Sequence, residues 1–443
     1  MTANSFRAYF CALPCLAAIS FEGIADGGDV AVDMPSYRMS AKQPSFASDK
    51  APVYDKSPIY YDDKYVSEGT VLPVSKYQVD VFLGLSYAYD SNTRQLPNSE
   101  GSSLGVADFG FTFSKGSESG RGTFYGFNYT GSSFFYEDSP AQAGRDNLNH
   151  RFGADFGVNG SKTKVRFATS YFHNSGNSLD FADFDREVRA AESDDFGFDL
   201  SVVRQLPHGS IEVGTGYSLR DFEAGTLLND GSGYYGDFAW FYRPGFAPRS
   251  SYGFGVRAGS DNFDRNGDQE YVTPSFRWRY RLSGKTNLYS SVGQEFRSTS
   301  GLGGRDTNNF VYRTGVTWAA TAKTTLDLNS YRTVSPSYVT GGEDFRSTGV
   351  ILVMSHQLPG NFSLSTSAGY ETADYFQTGL GGLPSGREDD YFRLGVNLGH
   401  PLRLTDHLQG DVSVFYNYNE NSSNSNLVEF DQHITGVRMG VTY

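Results

Sequence analysis

Cysteine is almost missing from this chain, and long apolar runs are missing after its first residues. Its two cysteines, Cys11 and Cys15, both lie in a short apolar stretch near the amino terminus. If that stretch is removed as a signal, the remaining chain can form no disulfide and no cysteine-based zinc site. No later window approaches the roughly 18 apolar residues of a membrane-spanning helix, which excludes a helical inner-membrane protein.

Hydrophobic residues are also scarce, at 38% of the chain, although it contains 35 Phe, 30 Tyr and 51 Gly. The apolar residues are spread evenly and do not form blocks. Such a spread is expected when only every second residue of a strand meets an apolar phase. The formal net charge of −13 argues against nucleic acid as a partner, because nucleic-acid-binding surfaces are basic.

The first residues have the layout of a cleavable export signal. Arg7 precedes an apolar segment, 8–21, and small residues follow that segment. We expect cleavage after Ala25, so that residues 1–25 form the signal peptide. Residues 26–75 are polar, rich in Pro, Ser, Asp and Lys, and lack periodicity. This composition predicts a disordered periplasmic extension.

From Lys76 onward the sequence follows a period of two residues. Between Lys76 and Asp90 every odd position from Tyr77 to Tyr89 is apolar, and the even positions are mostly polar or small. Alternate residues of a strand face opposite sides, so such a strand has one apolar and one polar face. Residues 76–443 therefore predict an all-β fold, a transmembrane antiparallel up-and-down β-barrel of the Gram-negative outer membrane.

The same alternation recurs to the end of the chain and predicts about 18 strands, an even number that puts both termini on one side. We expect the strands to begin near residues 76, 103, 122, 148, 163, 194, 209, 233, 251, 270, 285, 308, 323, 344, 361, 389, 408 and 432. Connections after even strands are mostly short and those after odd strands mostly longer. Periplasmic turns and outer loops differ in this way, so the barrel should begin on the periplasmic side.

The last strand carries a further pattern. Val437, Met439, Val441 and the final Tyr443 share one face. A terminal aromatic residue with apolar residues two, four and six positions earlier resembles the signal that the barrel-assembly machinery reads. The alternative is a final strand that happens to stop at an aromatic residue.

Motifs for catalysis or metal binding are lacking. There is no His-Glu-x-x-His, no Gly-x-Ser-x-Gly and no phosphate-binding loop with lysine. The histidines fall near strand ends or in turns without close ligand spacing: His150, His173, His208, His356, His400, His407 and His433. We expect no enzyme activity, no cofactor and no metal site. Segment 264–270 (DRNGDQE) suits a tight hairpin turn better than a weak calcium site.

Charged residues mark the face that should line the lumen. Arg277, Arg279 and Arg281 recur at two-residue spacing and share a face. The phase of neighbouring strands extends this to a predicted pore-lining set of Arg257, Arg277, Arg279, Arg281, Arg313, Glu212 and Asp237. Opposed basic and acidic walls would tune ion selectivity. Alternatively, these charges pair with one another or with an inserted loop as a structural lining. The paired acids Asp194-Asp195 and Asp389-Asp390 are interpreted as solvated loop charges.

Two strand ends, Gly84–Asn92 (GLSYAYDSN) and Gly369–Tyr375 (GYETADY), resemble those of the β-barrel porin-2 family. The likeness covers residues 76–443 and leaves the amino-terminal extension outside. The resemblance implies an outer-membrane barrel that is porin-like or associated with exosortase and exopolysaccharide loci. It brings no catalytic residues with it.

Three functions are open on this basis. The first is a porin-like channel for small hydrophilic solutes. The second is a component of exopolysaccharide export, with lumen aromatics such as Phe82, Phe172 and Phe415 stacking on sugars. The third is a structural or adhesive barrel plugged by residues 174–193. Expected partners are outer-membrane lipid and lipopolysaccharide, the barrel-assembly machinery, and small solutes or polysaccharide. The oligomeric state is open.

Overall fold

The computed structural model describes residues 77–443 except 94, 96–99, 117–121, 138–147, 177–190, 224–227, 265–266, 301–305, 339–343, 377–385, 406–407 and 427. The expected signal peptide, 1–25, and the expected extension, 26–75, lie outside the described residues. No helix within the described ranges has the length and apolarity that crossing a membrane requires. A turn of 3-10 helix occurs at Pro359–Asn361.

Eighteen antiparallel strands build the architecture, which confirms the all-β barrel expected from the sequence. The strands are β1 Tyr77–Asp90, β2 Ser102–Lys115, β3 Gly122–Tyr136, β4 Leu148–Asn159, β5 Thr163–Ser175, β6 Glu192–Leu206, β7 Gly209–Phe222, β8 Gly231–Tyr242, β9 Ser250–Phe263, β10 Gln269–Ser283, β11 Thr286–Thr299, β12 Asp306–Thr321, β13 Thr324–Pro336, β14 Asp344–Gln357, β15 Ser363–Tyr375, β16 Glu388–Arg403, β17 Gln409–Ser423 and β18 Phe430–Thr442. Each strand begins within two residues of its expected position.

The sheet closes on itself. β1 pairs with β2 on one side and with β18 on the other, and every other strand pairs with its sequence neighbours. Val81 adds two backbone hydrogen bonds to Tyr443 at this seam, of 3.0 and 2.9 Å. Closure removes both sheet edges, whose unpaired backbone groups could not be satisfied in lipid.

Strand β1 shows how the two-residue period becomes two faces. Its odd positions are about half exposed, from Tyr77 at 57% to Tyr89 at 49%, and carry apolar or aromatic side chains. Its even positions from Phe82 to Asp90 are buried. The exposed row forms the outer surface that faces lipid, and the buried row faces the barrel interior, as in other transmembrane barrels.

Connection lengths alternate as predicted. Connections after even strands are short, for example 207–208, 284–285 and 322–323, whereas those after odd strands include 176–191 and 376–387. In bacterial barrels the short turns face the periplasm and the longer loops face the exterior. We therefore name the two ends of the barrel the periplasmic end and the exterior end.

The residues of the expected assembly signal lie on the outer face at the end of the chain. Val437 and Met439 are more than half exposed, and Tyr443 is 70% exposed. Val441 is half-buried. The β1 partners of the first three apolar residues are Tyr87, Leu85 and Leu83. These side chains therefore join the apolar belt at the seam, and their reading by the assembly machinery stays a prediction.

Candidate functional site

Four charges of the predicted pore-lining set form two ion pairs on the interior face. Arg277 donates to both carboxylate oxygens of Asp237, at 2.9 and 2.6 Å. Arg279 donates to both carboxylate oxygens of Glu212, at 2.7 and 3.0 Å. Two parallel hydrogen bonds are the geometry that joins guanidinium and carboxylate most strongly. The two carboxylates are fully or almost fully buried beneath the arginines.

The Arg277–Asp237 pair reaches over an intervening strand. Arg277 lies on β10 and Asp237 on β8, so the arginine has to cross β9. It crosses at Gly255, where an added β-carbon would lie 2.7 Å from the guanidinium carbon. A close approach of this kind is one of the reasons why a strand carries glycine. Glycine at position 255 therefore makes room for the ion pair.

Tyrosines repeat this arrangement elsewhere on the wall. In each case a long polar side chain passes over a glycine of the next strand and bonds an acceptor one strand further. The three cases are Tyr235 over Gly216 to Asp199, Tyr289 over Gly315 to Asn329, and Tyr331 over Gly349 to Glu371. We name the interior face of β6–β15, which holds these contacts and the Arg277 pair, the strutted wall.

Aromatic rings also hold two arginines of the predicted set, Arg257 and Arg279, in place. The guanidinium carbon of Arg257 lies 3.8 Å from the ring centroid of Tyr235. Arg279 covers Phe241 at 3.9 Å and leaves that ring 1% exposed. Cation–π contacts contribute about 0.5–2 kcal/mol each. The arginines are thus held along the wall and do not project across the lumen.

Arg281 and Arg313, the remaining residues of the predicted set, also lie on the interior face. Arg281 stands near the periplasmic end of β10, opposite Asn287. Arg313 lies at mid-strand on β12, opposite Ser291 and Tyr331. Both arginines are half-buried. The set therefore shares one face that runs from β7 to β12, and its role in conduction stays a prediction.

The ion pairs bear on the two interpretations of the lining. Asp237 and Glu212 lie on the same wall as the arginines and neutralise two of them. These four residues therefore pair with one another along one wall and do not form opposed basic and acidic walls.

Acids do face the arginines from the far side of the ring. They come from β1, β2 and β17 and were not in the predicted set: Asp80, Asp108 and Asp411. Asp108 and Asp411 share one interior row across the seam, where glycines separate them. Alternation already places each of these acids on the polar face of its strand, but their position opposite the arginines follows only from the order of the strands in the closed ring.

Of the aromatic residues expected to stack on sugars, Phe82 is buried, and Phe172 and Phe415 are half-buried. Phe82 lies against Gly110 of β2 and is 9% exposed. The guanidinium of Arg151 lies over Phe172 at 4.3 Å, and Phe415 packs on a glycine of β18. These rings form part of the wall, so the exposed stacking surface expected at Phe82 is not there.

The paired acids at the exterior end differ from the solvated loop charges expected from the sequence. One member of each pair, Asp195 and Asp389, faces inward and is buried. Asp195 accepts a hydrogen bond from Arg220, and Asp389 accepts one from Arg387. Their chain neighbours are exposed. The solvated interpretation therefore holds for only one acid of each pair.

A residue of the β13–β14 connection reaches into the exterior end of the barrel. The carbonyl of Tyr338 accepts a hydrogen bond of 2.7 Å from the backbone N–H of Asn229, in the β7–β8 connection. Its ring meets Phe222 and Phe263 edge-on at 5.6 Å, and the guanidinium carbon of Arg220 lies 4.8 Å from its centroid. We name this group of contacts the Tyr338 strap.

The strap cuts across part of the lumen, because four strands, β9 to β12, separate β8 from β13 in the ring. Sequence inspection missed it, since its partners are far from Tyr338 in the chain. The plug expected at 174–193 falls largely on residues 177–190, which lie outside the described residues.

No group of three or more His, Cys, Asp or Glu side chains within the described ranges could hold a metal ion. The structure does bring together two histidines, His150 and His173, which are direct partners on β4 and β5 with ring centroids 6.2 Å apart. His173 also contacts Asp194 at 2.9 Å. Segment 264–270 spans the β9–β10 connection, and residues 265–266 of it lie outside the described residues.

A closed 18-stranded barrel with an apolar exterior and a charged interior defines a transmembrane β-barrel protein of the outer-membrane type. Residues 291–443 match the family described as "Putative beta-barrel porin 2". The match confirms the resemblance over about the last third of the chain, which includes Gly369–Tyr375. Gly84–Asn92 lies outside the matched residues. Architecture and family match together indicate the outer membrane as the location.

Several solved outer-membrane structures are similar to this chain. OpdK of Pseudomonas aeruginosa with vanillate is 16% identical, with a TM-score of 0.43 over 82% of this chain and 99% of that chain. OccAB2 of Acinetobacter baumannii is 14% identical, with a TM-score of 0.45 over 84% and 98%. OccK2 (OpdF) of Pseudomonas aeruginosa with glucuronate is 13% identical, with a TM-score of 0.43 over 84% and 98%. No curated protein sequence matches the chain.

Proposed function

We propose that this barrel is a porin-like channel through which small hydrophilic solutes cross the outer membrane. The observation that carries the proposal is the strutted wall. Side chains long enough to project inward, such as Arg277 and Tyr331, lie over glycines along the wall. At 18 strands a barrel is also too wide for its wall side chains to fill. An aqueous passage lined by polar groups is the use that this construction favours.

The Tyr338 strap is the reason to propose that the exterior mouth of the channel is narrowed. It joins the β13–β14 and β7–β8 connections, so a solute has to pass beside it. We infer that the strap sets the upper limit on solute size. The predicted pore-lining arginines lie below it and would meet the solute next.

Osmotic swelling of proteoliposomes tests the proposal. Refolded protein is reconstituted, and swelling is followed by light scattering in isosmotic sugars of increasing size. Rapid swelling with monosaccharides and slow swelling with larger oligosaccharides are expected. Liposomes that carry the same amount of unfolded protein are the control. If no sugar enters faster than in that control, the barrel is not an open channel, and the plugged structural barrel becomes the better proposal.

Export of an acidic exopolysaccharide is the second candidate. The turns that face the periplasm carry Lys162, Arg249 and Lys285, and these cations suit an anionic polymer. Deletion of the gene should then abolish secreted polysaccharide. Unchanged secretion, together with sugar-permeable liposomes, would leave the small-solute channel alone. We propose no catalytic role for the barrel.

A further inference from the structure

Arg332 faces outward from the barrel and not into the lumen. It belongs to the outer row of β13, in which Leu328 is 44% exposed. Its strand partners on the outer face are Tyr312 of β12 and Thr348 of β14. A cation on the lipid-facing side of a barrel is unfavourable unless its side chain reaches the headgroup layer or a counter-charge.

The height of Arg332 along its strand brings it to the exterior headgroup layer. Arg332 lies eight residues beyond Thr324, where β13 begins at the periplasmic end. A strand rises about 3.3 Å per residue and is tilted by about 40°, so Arg332 stands about 20 Å above that turn. The apolar band of a barrel is about 25 Å tall. The long arginine side chain can therefore extend its charged group to the exterior edge of the band.

The side chain of Arg332 has no partner in the part of the chain that the structure describes. It makes no ion pair and no hydrogen bond there, and its Nε atom is buried without an acceptor. Acids on the outer face of the surrounding strands bond other donors: Asp306 bonds Ser298 at 2.7 Å, Asp374 bonds Arg346 at 2.5 Å, and Asp390 bonds Tyr370 at 2.9 Å. The counter-charge that Arg332 requires therefore has to come from outside the protein.

Arg346 places a second cation beside Arg332. It lies two residues from Thr348 on the same face of β14 and is thus the diagonal neighbour of Arg332. Diagonal neighbours are about 7–8 Å apart, within reach of long side chains. Arg346 pairs with Asp374, and both side chains remain partly exposed, at 29% and 39%. Hydroxyl groups of Ser330 and Thr348 flank Arg332 on the outer face. We name Arg332, Arg346, Ser330 and Thr348 the outer arginine site.

The side chains of the outer arginine site match the chemistry of a phosphate group. Guanidinium groups bind phosphate through two directed hydrogen bonds and remain charged at any physiological pH. Ser330 and Thr348 can donate further hydrogen bonds from their hydroxyl groups. Lipid acyl chains offer no counter-charge at this height, whereas the phosphates of lipid headgroups lie at the edge of the apolar band.

We propose that the outer arginine site binds a phosphate group of an outer-leaflet lipid, of the kind that the phosphorylated sugars of lipopolysaccharide carry. The inference is independent of conduction and rests on the membrane orientation expected from the connection lengths. Arg332 binds the phosphate directly, and Arg346 adds positive charge beside it. The lipid is then held against β12, β13 and β14, next to the connection that carries Tyr338.

Native mass spectrometry of the refolded protein in detergent tests binding directly. The protein is incubated with lipid A that carries both phosphates, or with the same lipid after enzymatic removal of the phosphates. Arg332→Gln is compared with wild type and with Arg204→Gln. Arg204 also lies on an outward row but at the periplasmic end of β6, where it bonds Thr163 at 2.6 Å.

Wild type and Arg204→Gln should retain phosphorylated lipid A in preference to the dephosphorylated lipid. Loss of the charged hydrogen bonds should weaken binding of phosphorylated lipid A about tenfold in Arg332→Gln. Arg332→Lys keeps the charge and should recover part of the loss. Heat-dependent gel mobility shows that each variant is folded, and Arg332→Lys serves if Arg332→Gln does not fold.

Inorganic phosphate and a second copy of the chain are the other occupants that the spectra distinguish. Inorganic phosphate in large excess should leave lipid A bound, and complete displacement would overturn the assignment to a lipid. A lipid-independent dimer in wild type that Arg332→Gln abolishes would assign the face to a second copy and overturn it equally.

The remaining outcomes decide the site itself. Equal binding of phosphorylated lipid A by wild type and Arg332→Gln, or equal binding of phosphorylated and dephosphorylated lipid by wild type, overturns the outer arginine site. Liposome swelling bears on neither result, so the channel proposal and the lipid site can fail separately.

Discussion

Two parts of the interior hold adjacent strands together by different means. The strutted wall uses polar side chains that cross a glycine and end on a carboxylate or amide. Where β18 meets β1 and the sheet continues into β2 and β3, the interior carries a buried apolar cluster, which we name the seam patch: Ala88, Leu104, Val106, Phe134 and Ile434. Both constructions close the wall, but only the strutted wall does so with polar side chains.

The two constructions should fail in different ways. Apolar packing loses stability in proportion to the volume removed, because the surroundings relax only partly into the cavity. A buried ion pair fails more abruptly, because the loss of one partner leaves the other charge without compensation. Substitutions in the two regions therefore test the comparison directly.

The largest loss of stability is expected on the strutted wall. Asp237→Ala leaves the Arg277 guanidinium against the wall without its carboxylate and should lower the free energy of unfolding by about 3–5 kcal/mol. Urea unfolding of the refolded barrel measures it. The double variant D237L/R277L is the control, because it removes both charges and should recover most of the loss. A loss under about 1 kcal/mol for Asp237→Ala would mean that lumen water compensates the arginine.

A somewhat smaller loss is expected in the seam patch. Ile434 is completely buried among apolar side chains, so Ile434→Ala should lower the free energy of unfolding by about 2–4 kcal/mol. Ile434→Val, which removes a single methyl group, should cost about 1 kcal/mol in the same urea titration. Equal effects of the two substitutions would contradict the dependence on volume.

A single tyrosine that crosses a glycine of the strutted wall should contribute less to the free energy of unfolding. Tyr289→Phe removes the hydroxyl that donates to Asn329 across Gly315 and should cost about 1 kcal/mol. Tyr87→Phe on the lipid-facing side is the matched control and should change the free energy of unfolding little. A neutral Tyr289→Phe would remove the tyrosines from the account of the strutted wall.

The smallest change in stability, with a visible change in transport, is expected at the Tyr338 strap. Tyr338→Ala removes the ring that Phe222, Phe263 and Arg220 hold. The exterior mouth should widen, and the size limit in liposome swelling should move to larger sugars. Tyr338→Phe keeps the ring and should behave as wild type. An unchanged size limit in Tyr338→Ala would place the restriction elsewhere.

Alternation along single strands was enough to predict the barrel and its strand number, and the orientation predicted from the connection lengths stays a prediction. The outward residues of β1, from Tyr77 to Tyr89, are apolar or aromatic, and this pattern already indicates that one side of the strand faces lipid. The inward direction of Arg277 follows from the same period, but its partner does not. Asp237 lies two strands away, and only the pairing register and the glycine between them bring the charges together.

Contacts between loops could not be predicted from the sequence for a similar reason. Tyr338 meets Asn229 because the closed ring sets the distance between their connections. Asp195 and Asp389 were interpreted as solvated charges, because alternation does not say which charges find a partner at the exterior end. Their burial goes with hydrogen bonds from Arg220 and Arg387 on the inward face.

Single-channel recording in planar bilayers tests the central claim most directly. Refolded full-length protein is added to one side of a lipid bilayer in symmetrical KCl, and the current is recorded at fixed voltage. A barrel whose interior side chains lie along a polar wall should insert with uniform, stable open steps. A protein that is folded by gel mobility yet gives no steps would contradict the account.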